Sequence, residues 1–338
     1  MISTPLVSVL LPVFNSENYL NESIESILSQ SFQDFELIII NDGSTDNSRN
    51  ILEKFALEDP RIRVFDQENT GIIGALNRGL QLARGKYIAR MDSDDVSLPN
   101  RLSRQVEYMD THPQVGACGT WIRYHGHKEG EWQTPIDNQT IRCKLLFESV
   151  LAHPTVMMNR DILNMHNLCY RYDYQHAEDY DLWVNIAQHA DLANIPEVHL
   201  LYRIHSGQIV QRYATLKIES ANRIRHRQLQ MLGINPTPDE LALHAALSMW
   251  KFDCSLQFME KAERFLLMIL VANKHTQHYD PTKLLGVIQV RWFALCYTNA
   301  KLGMQTWNLF NNSSLSKGIN LTGKQRIKFL VKCLIRKP

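Results

Sequence analysis

Over the first hundred residues, short apolar runs alternate with stretches of helical periodicity, and no other feature of the chain limits its fold as much. The run from Leu6 to Phe14, LVSVLLPVF, is continuously apolar, as a strand covered on both faces must be. After it, Tyr19, Leu20, Ile24, Ile27 and Leu28 recur at helical spacing. Phe35 to Ile40 predicts a second strand, 46–57 a capped helix, 62–67 a third strand, 72–84 a third helix and Lys86 to Asp92 a fourth strand. Strands joined by helices pair in parallel, so this rhythm predicts an α/β fold with a mostly parallel sheet and helices on both faces. Ligands of such sheets bind beyond the carboxyl ends of the strands. There the four strands are followed by NSEN, NDGSTDNS, ENTG and DSDD. Four polar clusters in succession predict one shared crevice.

Downstream, Gly116 to His125 predicts another strand, AHPTVMMNRDIL a strand entering a helix, and AEDYDLWVNIAQHA a helix whose first turn carries Glu178, Asp179 and Asp181. Beyond about Arg212 the pattern turns helical. The expected division is therefore an α/β domain over 1–212 and a helical region over 213–338. The start, MISTPLVSVLLPVF, has no basic leader and is interrupted by Pro5 and Pro12, so it reads as a strand and not a signal peptide. The apolar run from Phe265 to Ala272 falls far short of the roughly 20 residues that span a bilayer. The 36 basic residues are balanced by 35 acidic ones, which argues against nucleic acid as a partner. Six scattered cysteines without a CxxC pair fit reduced thiols in the cytoplasm better than disulfides or a zinc site.

Asp92, Asp94 and Asp95 crowd three carboxylates into one turn. Two such charges about 5 Å apart repel by roughly 3 kcal/mol at an effective dielectric of about 20. Either the loop lies open in water or a divalent cation sits among the oxygens. The competing reading is an Asx turn that caps the helix starting near Leu98 and Pro99. Of the three, Asp95 is expected to cap and Asp94 to bind metal. Asp42, just past the second strand, is placed to accept a hydrogen bond from a base or ribose, or to belong to a turn in which Gly43 bends the chain and Ser44 to Asp46 cap the next helix. Pro12, Phe14 and Asn15 offer backbone groups and a ring to a nucleobase, although a helix cap by Asn15 or Ser16 explains the polar part equally. Asp179 fits either a general base or a charge favourable at a helix start. Arg203 and His205 in LYRIHSGQ are structural or site residues.

Taken together, VSVLLPVFNSENYLNESIESILSQSF, FELIIINDGSTDNS, NTGIIGALNRGLQLARGKYIARMDSDD, HPTVMM and EDYDLW resemble the family 2 glycosyltransferases of GT-A fold, especially bacterial polysaccharide and glycolipid enzymes. The resemblance covers residues 5 to 212 and implies an inverting enzyme that moves a hexose or N-acetylhexosamine from a UDP-sugar to a hydroxyl of a glycan or lipid-linked acceptor. It implies that Pro12, Phe14, Glu17, Asp42 and Gly71 border the nucleotide, that Asp92 and Ser93 lie against ribose and diphosphate, and that Asp94, with His205, holds Mn2+ or Mg2+. It makes Asp179 the catalytic base. His153, Glu178 and Trp183 are expected on the acceptor side, with core packing the alternative for Trp183. Two departures stand out. Asn41 replaces an aspartate common in relatives, and the usual basic loop ahead of the aspartates offers only Arg78.

Nucleotidyltransferases and dinucleotide-binding dehydrogenases would need a glycine-rich loop after the first strand, and LPVFNSENY has no glycine. A non-catalytic nucleotide-sugar-binding protein, or a transferase using a GDP- or dTDP-sugar, is the alternative reading. In the last segment Lys324, Arg326, Lys328, Lys332, Arg336 and Lys337 interleave with Ile327, Phe329, Leu330, Leu334 and Ile335. That pattern suits either an interfacial amphipathic helix, in peripheral contact with the cytoplasmic face of the inner membrane, or a solvated terminal helix.

Overall fold

The computed structural model describes residues 4–205 and 213–336. Its first half runs β1 (Val7–Val13), α1 (Leu20–Leu28), β2 (Phe35–Asp42), α2 (Ser48–Glu58), β3 (Ile62–Gln67), α3 (Gly71–Leu82), β4 (Tyr87–Arg90), β5 (Val96–Ser97) and α4 (Arg101–Thr111). It continues with β6 (Val115–Gly126), β7 (Glu131–Trp132), α5 (Asn138–Leu145), β8 (Met157–Asn159), α6 (Arg160–Met165), α7 (Glu178–Ile186) and β9 (Asp191–Ile204). The sheet order is β3-β2-β1-β4-β8-β6-β9-β5, with β7 on β6. The long ladders, β1 with β2 and β4, β2 with β3, and β6 with β9, are parallel. The antiparallel ladders of β8, β7 and β5 span only two or three residues each.

Every residue of β1, β2 and β4 is buried, which is why these strands read as apolar runs and not as an alternating pattern. Val7, Val9, Leu11 and Val13 share a core with Leu20, Ile24 and Ile27 of α1, and with Leu52 and Leu102. On the other face of β1 lies Leu10, and α3 approaches it so closely that a Cβ on Gly79 would overlap its side chain. Helices therefore cover both faces, as expected.

The chain divides into two compact units. One holds the residues up to Ile141 with Ser149–Ser220, the other Arg142–Glu148 with the residues from Ala221 onward. The expected boundary near residue 212 lies outside the described residues. α8 (Ala214–Met231) runs into the second unit, which then holds α9 (Pro238–Ser248), α10 (Leu256–Thr276), α11 (Pro281–Thr298), α12 (Met304–Asn312) and α13 (Gly323–Ile335). Cys143, Leu146 and Phe147 belong to its core, with Leu229, Met259 and Trp292. Capping boxes at Thr237/Glu240 and Thr322/Gln325 fix the starts of α9 and α13. Among the described residues no helix is long and apolar enough to cross a membrane.

Candidate active site

The loops at the carboxyl ends of β1, β2 and β4 are tied to one another. Asn15 adopts a left-handed backbone (φ 49°), so its N–H donates to Ser44 Oγ and its Oδ1 accepts from Thr45 N at 2.8 Å. Glu17 N donates to Asp46 Oδ2, and Glu17 Oε2 accepts from Asn47 N. Ser16 Oγ and Ser93 Oγ are 2.7 Å apart, and Ser23 Oγ donates to Asp92 O. The polar clusters therefore form one rim, with Phe14 exposed upon it and Pro12 buried beneath.

Asp42 also carries a structural load. Its Oδ1 accepts from Gln67 Nε2 (2.6 Å) and from both N and Oγ1 of Thr70, and its Oδ2 accepts from Gly71 N (2.9 Å). It thereby satisfies the first N–H groups of α3, where Gly71 has φ 78° and open space beside its Cα. Its Oδ2 keeps acceptor capacity for a further donor.

Asp92, Asp94 and Asp95 each offer a carboxylate oxygen within 4.8 Å of the others. Burial, followed by the charges of Asp92 and Asp94, pushes the Asp95 carboxyl well above the usual range. Burial also raises Asp92; pairing with Arg90 opposes this, and the charges of Asp94 and Asp179 add to it. Asp94 Oδ2 lies 3.1 Å from His205 Nε2. Asp95 does not cap α4, whose start at Asn100 has no side-chain cap. Instead its Oδ1 accepts from Arg203 N (2.9 Å) on β9, while Arg203 Nε donates to the Asp94 carbonyl (2.7 Å). This corrects the capping expectation, because a partner 108 residues away outcompetes the local turn. Asp95 Oδ2 is buried without a partner. Convergent hard oxygens, one of them orphaned, fit a divalent cation.

α7 brings the second acidic group. Burial raises the Asp179 carboxyl, against the opposing charges of Lys217 and Arg90. Burial and the Asp179 charge push Glu178 up to about 7, and its Oε2 has no partner. Asp181 is fully buried and bound by Arg171 at 2.5 and 2.7 Å, so it holds the helix in place. His153 contacts Tyr170 Oη (2.9 Å), and burial with the Arg90 charge keeps its ring neutral. Trp183 has no exposed surface and lies edge-on to His153.

One central residue goes unread in the sequence. Arg90 is 3% exposed, pairs with Asp92, and lends its charge to Asp95, Asp179 and Glu178. A cation inside the otherwise apolar YIARM, just ahead of the acidic turn, was the available signal. Tyr170, held by Asn77 through N and O, is the other.

Comparison with known proteins gives this geometry a family. Residues 8–166 match Glycosyl transferase family 2. An uncharacterised glycosyltransferase of Haemophilus influenzae is 34% identical over 68% of this chain and 75% of its own length. The O-antigen biosynthesis glycosyltransferase WbnJ of Escherichia coli is 37% identical over 60% of this chain and 80% of its own. Among solved structures, S. aureus TarS 1–349 with UDP-GlcNAc superposes with a TM-score of 0.60 at 16% identity, covering 84% of this chain and 90% of its own. The mannosyltransferase PcManGT of Pyrobaculum calidifontis, with GDP-Man and Mn2+, gives 0.53 at 18% identity, covering 88% of each. At such identities the structures speak for the fold alone, which is GT-A, while the sequence match speaks for kinship. The chain belongs to glycosyl transferase family 2.

Proposed function

We propose that the chain transfers a hexose or N-acetylhexosamine from a UDP-sugar to a hydroxyl of a glycan or lipid-linked oligosaccharide, inverting the anomeric carbon, in the cytoplasmic synthesis of a bacterial surface polysaccharide. Residues 1–212 are the catalytic part in this reading, and 213–338 serve association. The observation that carries it is the pairing of two acidic groups: a carboxylate cluster at the edge of the parallel strands, and a helix-borne Asp179 whose charge reaches Asp92. WbnJ, an O-antigen biosynthesis glycosyltransferase, supports the pathway class, and TarS, solved with UDP-GlcNAc, supports the donor class.

Phe14, Pro12, Glu17, Asp42 and Gly71 border the nucleotide, with Asp92 and Ser93 against ribose and diphosphate. Asp94 and His205, beside Asp92 and Asp95, would hold Mn2+ or Mg2+, which when bound neutralises charge on the diphosphate. Asp179, with its proton affinity raised by burial, accepts the proton of the attacking hydroxyl. The new C–O bond forms in line as the old one breaks, and its electron pair leaves with UDP. Asp179 acts on one face only, so inversion follows. His153 and Glu178 line the acceptor side, with Trp183 behind His153.

UDP release measured with UDP-sugars and Mn2+ tests the reading. Asp179→Asn and Asp94→Ala should each lower turnover by about 10²- to 10⁴-fold with no fall in the melting temperature of the metal-free chain. Full activity in both variants would sink the assignment.

A further inference from the structure

Pro281 marks a change in the chain's charge. From there to the last residue the sequence holds ten Lys and Arg and no Asp or Glu, whereas the part before it holds 26 cations against 35 acids. In α13 those cations meet exposed apolar surface. Phe329 and Cys333 are buried in the core of the second unit, while Ile327, Val331, Leu334 and Ile335 are 64%, 43%, 60% and 54% exposed. At about 100° per residue these four form one stripe on the side of the helix opposite Phe329 and Cys333, with Lys324 at its amino-terminal end and Lys328 at its margin. A helix that only covers its own domain carries polar residues on that outer side.

We propose that the outward face of α13 docks on an anionic lipid bilayer. The apolar stripe would lie below the headgroups, and the lysines and arginines, reaching along their stems, would meet lipid phosphates. Nucleic acid would engage the cations yet leave the stripe in water. A second copy would bring two acid-free helices together and set like charges side by side. Lys337 lies outside the described residues and is not needed for the face. The proposal goes beyond the transferase reading and does not depend on it.

The test is flotation of the full-length chain with vesicles of phosphatidylcholine alone or mixed with phosphatidylglycerol. Wild type should partition at least about tenfold more onto the anionic vesicles, and added salt should weaken that binding. Ile327→Glu with Leu334→Glu should abolish it at an unchanged circular dichroism melt, and Lys324→Glu with Lys328→Glu should remove the preference for anionic lipid. Two results would overturn the proposal: no excess of wild type on anionic vesicles, or undiminished flotation of the Ile327/Leu334 variant. Self-association lost in that variant, without lipid binding, would assign the face to a second copy instead.

Discussion

At the amino end of the parallel strands, Glu36 on β2 is 2% exposed, and both its oxygens are fully engaged. Oε1 accepts from Ser8 Oγ (2.6 Å) and Arg84 N, and Oε2 accepts from Arg63 Nη1 (2.6 Å) and Arg84 Nε. Burial alone would raise its carboxyl, yet these bonds hold it below the usual range. At the carboxyl end of the same sheet, Asp95 and Glu178 are buried to a similar degree, each keeps an orphan oxygen, and both are pushed up. Arg90 Nε and Nη1 are orphaned beside them. The residue types and the burial match, so the difference lies in how completely the partners are supplied. A satisfied buried carboxylate stabilises the fold, whereas an incompletely satisfied cluster is strained until something else binds.

The contrast has consequences of opposite sign. Glu36→Ala should cost about 3 kcal/mol in urea unfolding, since it strips four donors of their acceptor. A loss under about 1 kcal/mol would break the comparison at its stronger end. Glu178 should show itself through pH. Its carboxyl is pushed up to about 7 from an ordinary value of 4.5, so across that window the folded chain holds a proton that the unfolded chain has released. The stability that Glu178 contributes should therefore fall as pH rises from about 4.5 to 7, by about 3 kcal/mol. Glu36 runs the other way, because its depressed carboxyl stabilises above the ordinary value and that contribution is lost only as pH falls below it. The gap between unfolding free energies measured at pH 5 and pH 8 should narrow in Glu178→Gln, with the raised Asp92, Asp95 and Asp179 carboxyls keeping the remainder, and an unchanged gap would show that burial does not control this carboxyl.

Most of the sheet was legible because its signals are local. The reading of 62–67 matches β3 residue for residue, and those for β1 and β2 fall within two residues of the observed ends. β9 was not legible. Its sequence DLANIPEVHLLYRI mixes polarities around Pro196, and the strand survives because its ladder with β6 skips Pro196 and Glu197 at a bulge between Ile195 and Val198. The acidic turn was legible as a cluster, but not in its division of roles. Asp95 answers to Arg203 on that unread strand, Asp42 caps α3 through bonds reaching 29 residues along the chain, and Arg90 counts as one strand residue until the fold surrounds it with carboxylates. Composition and spacing report which groups are near in sequence; which of them share a proton or a cation depends on pairings that only the folded chain makes.

The finest division between the two ends is Asp95→Asn. An amide at that position can still accept from Arg203 N, so the tie to β9 survives. What is lost is a negative charge crowded against Asp92 and Asp94, whose repulsion, with burial, raises this carboxyl. In EDTA the variant should be more stable than wild type by about 1 kcal/mol, the reverse of Glu36→Ala, while the rise in melting temperature on adding Mn2+ should shrink. Lower stability in EDTA would mean that both ends of the sheet obey one rule and the contrast is false. Higher stability with an undiminished response to Mn2+ would leave the contrast standing but move the cation to Asp94 and His205 alone, making Asp95 a strut for the turn with no ion of its own to hold.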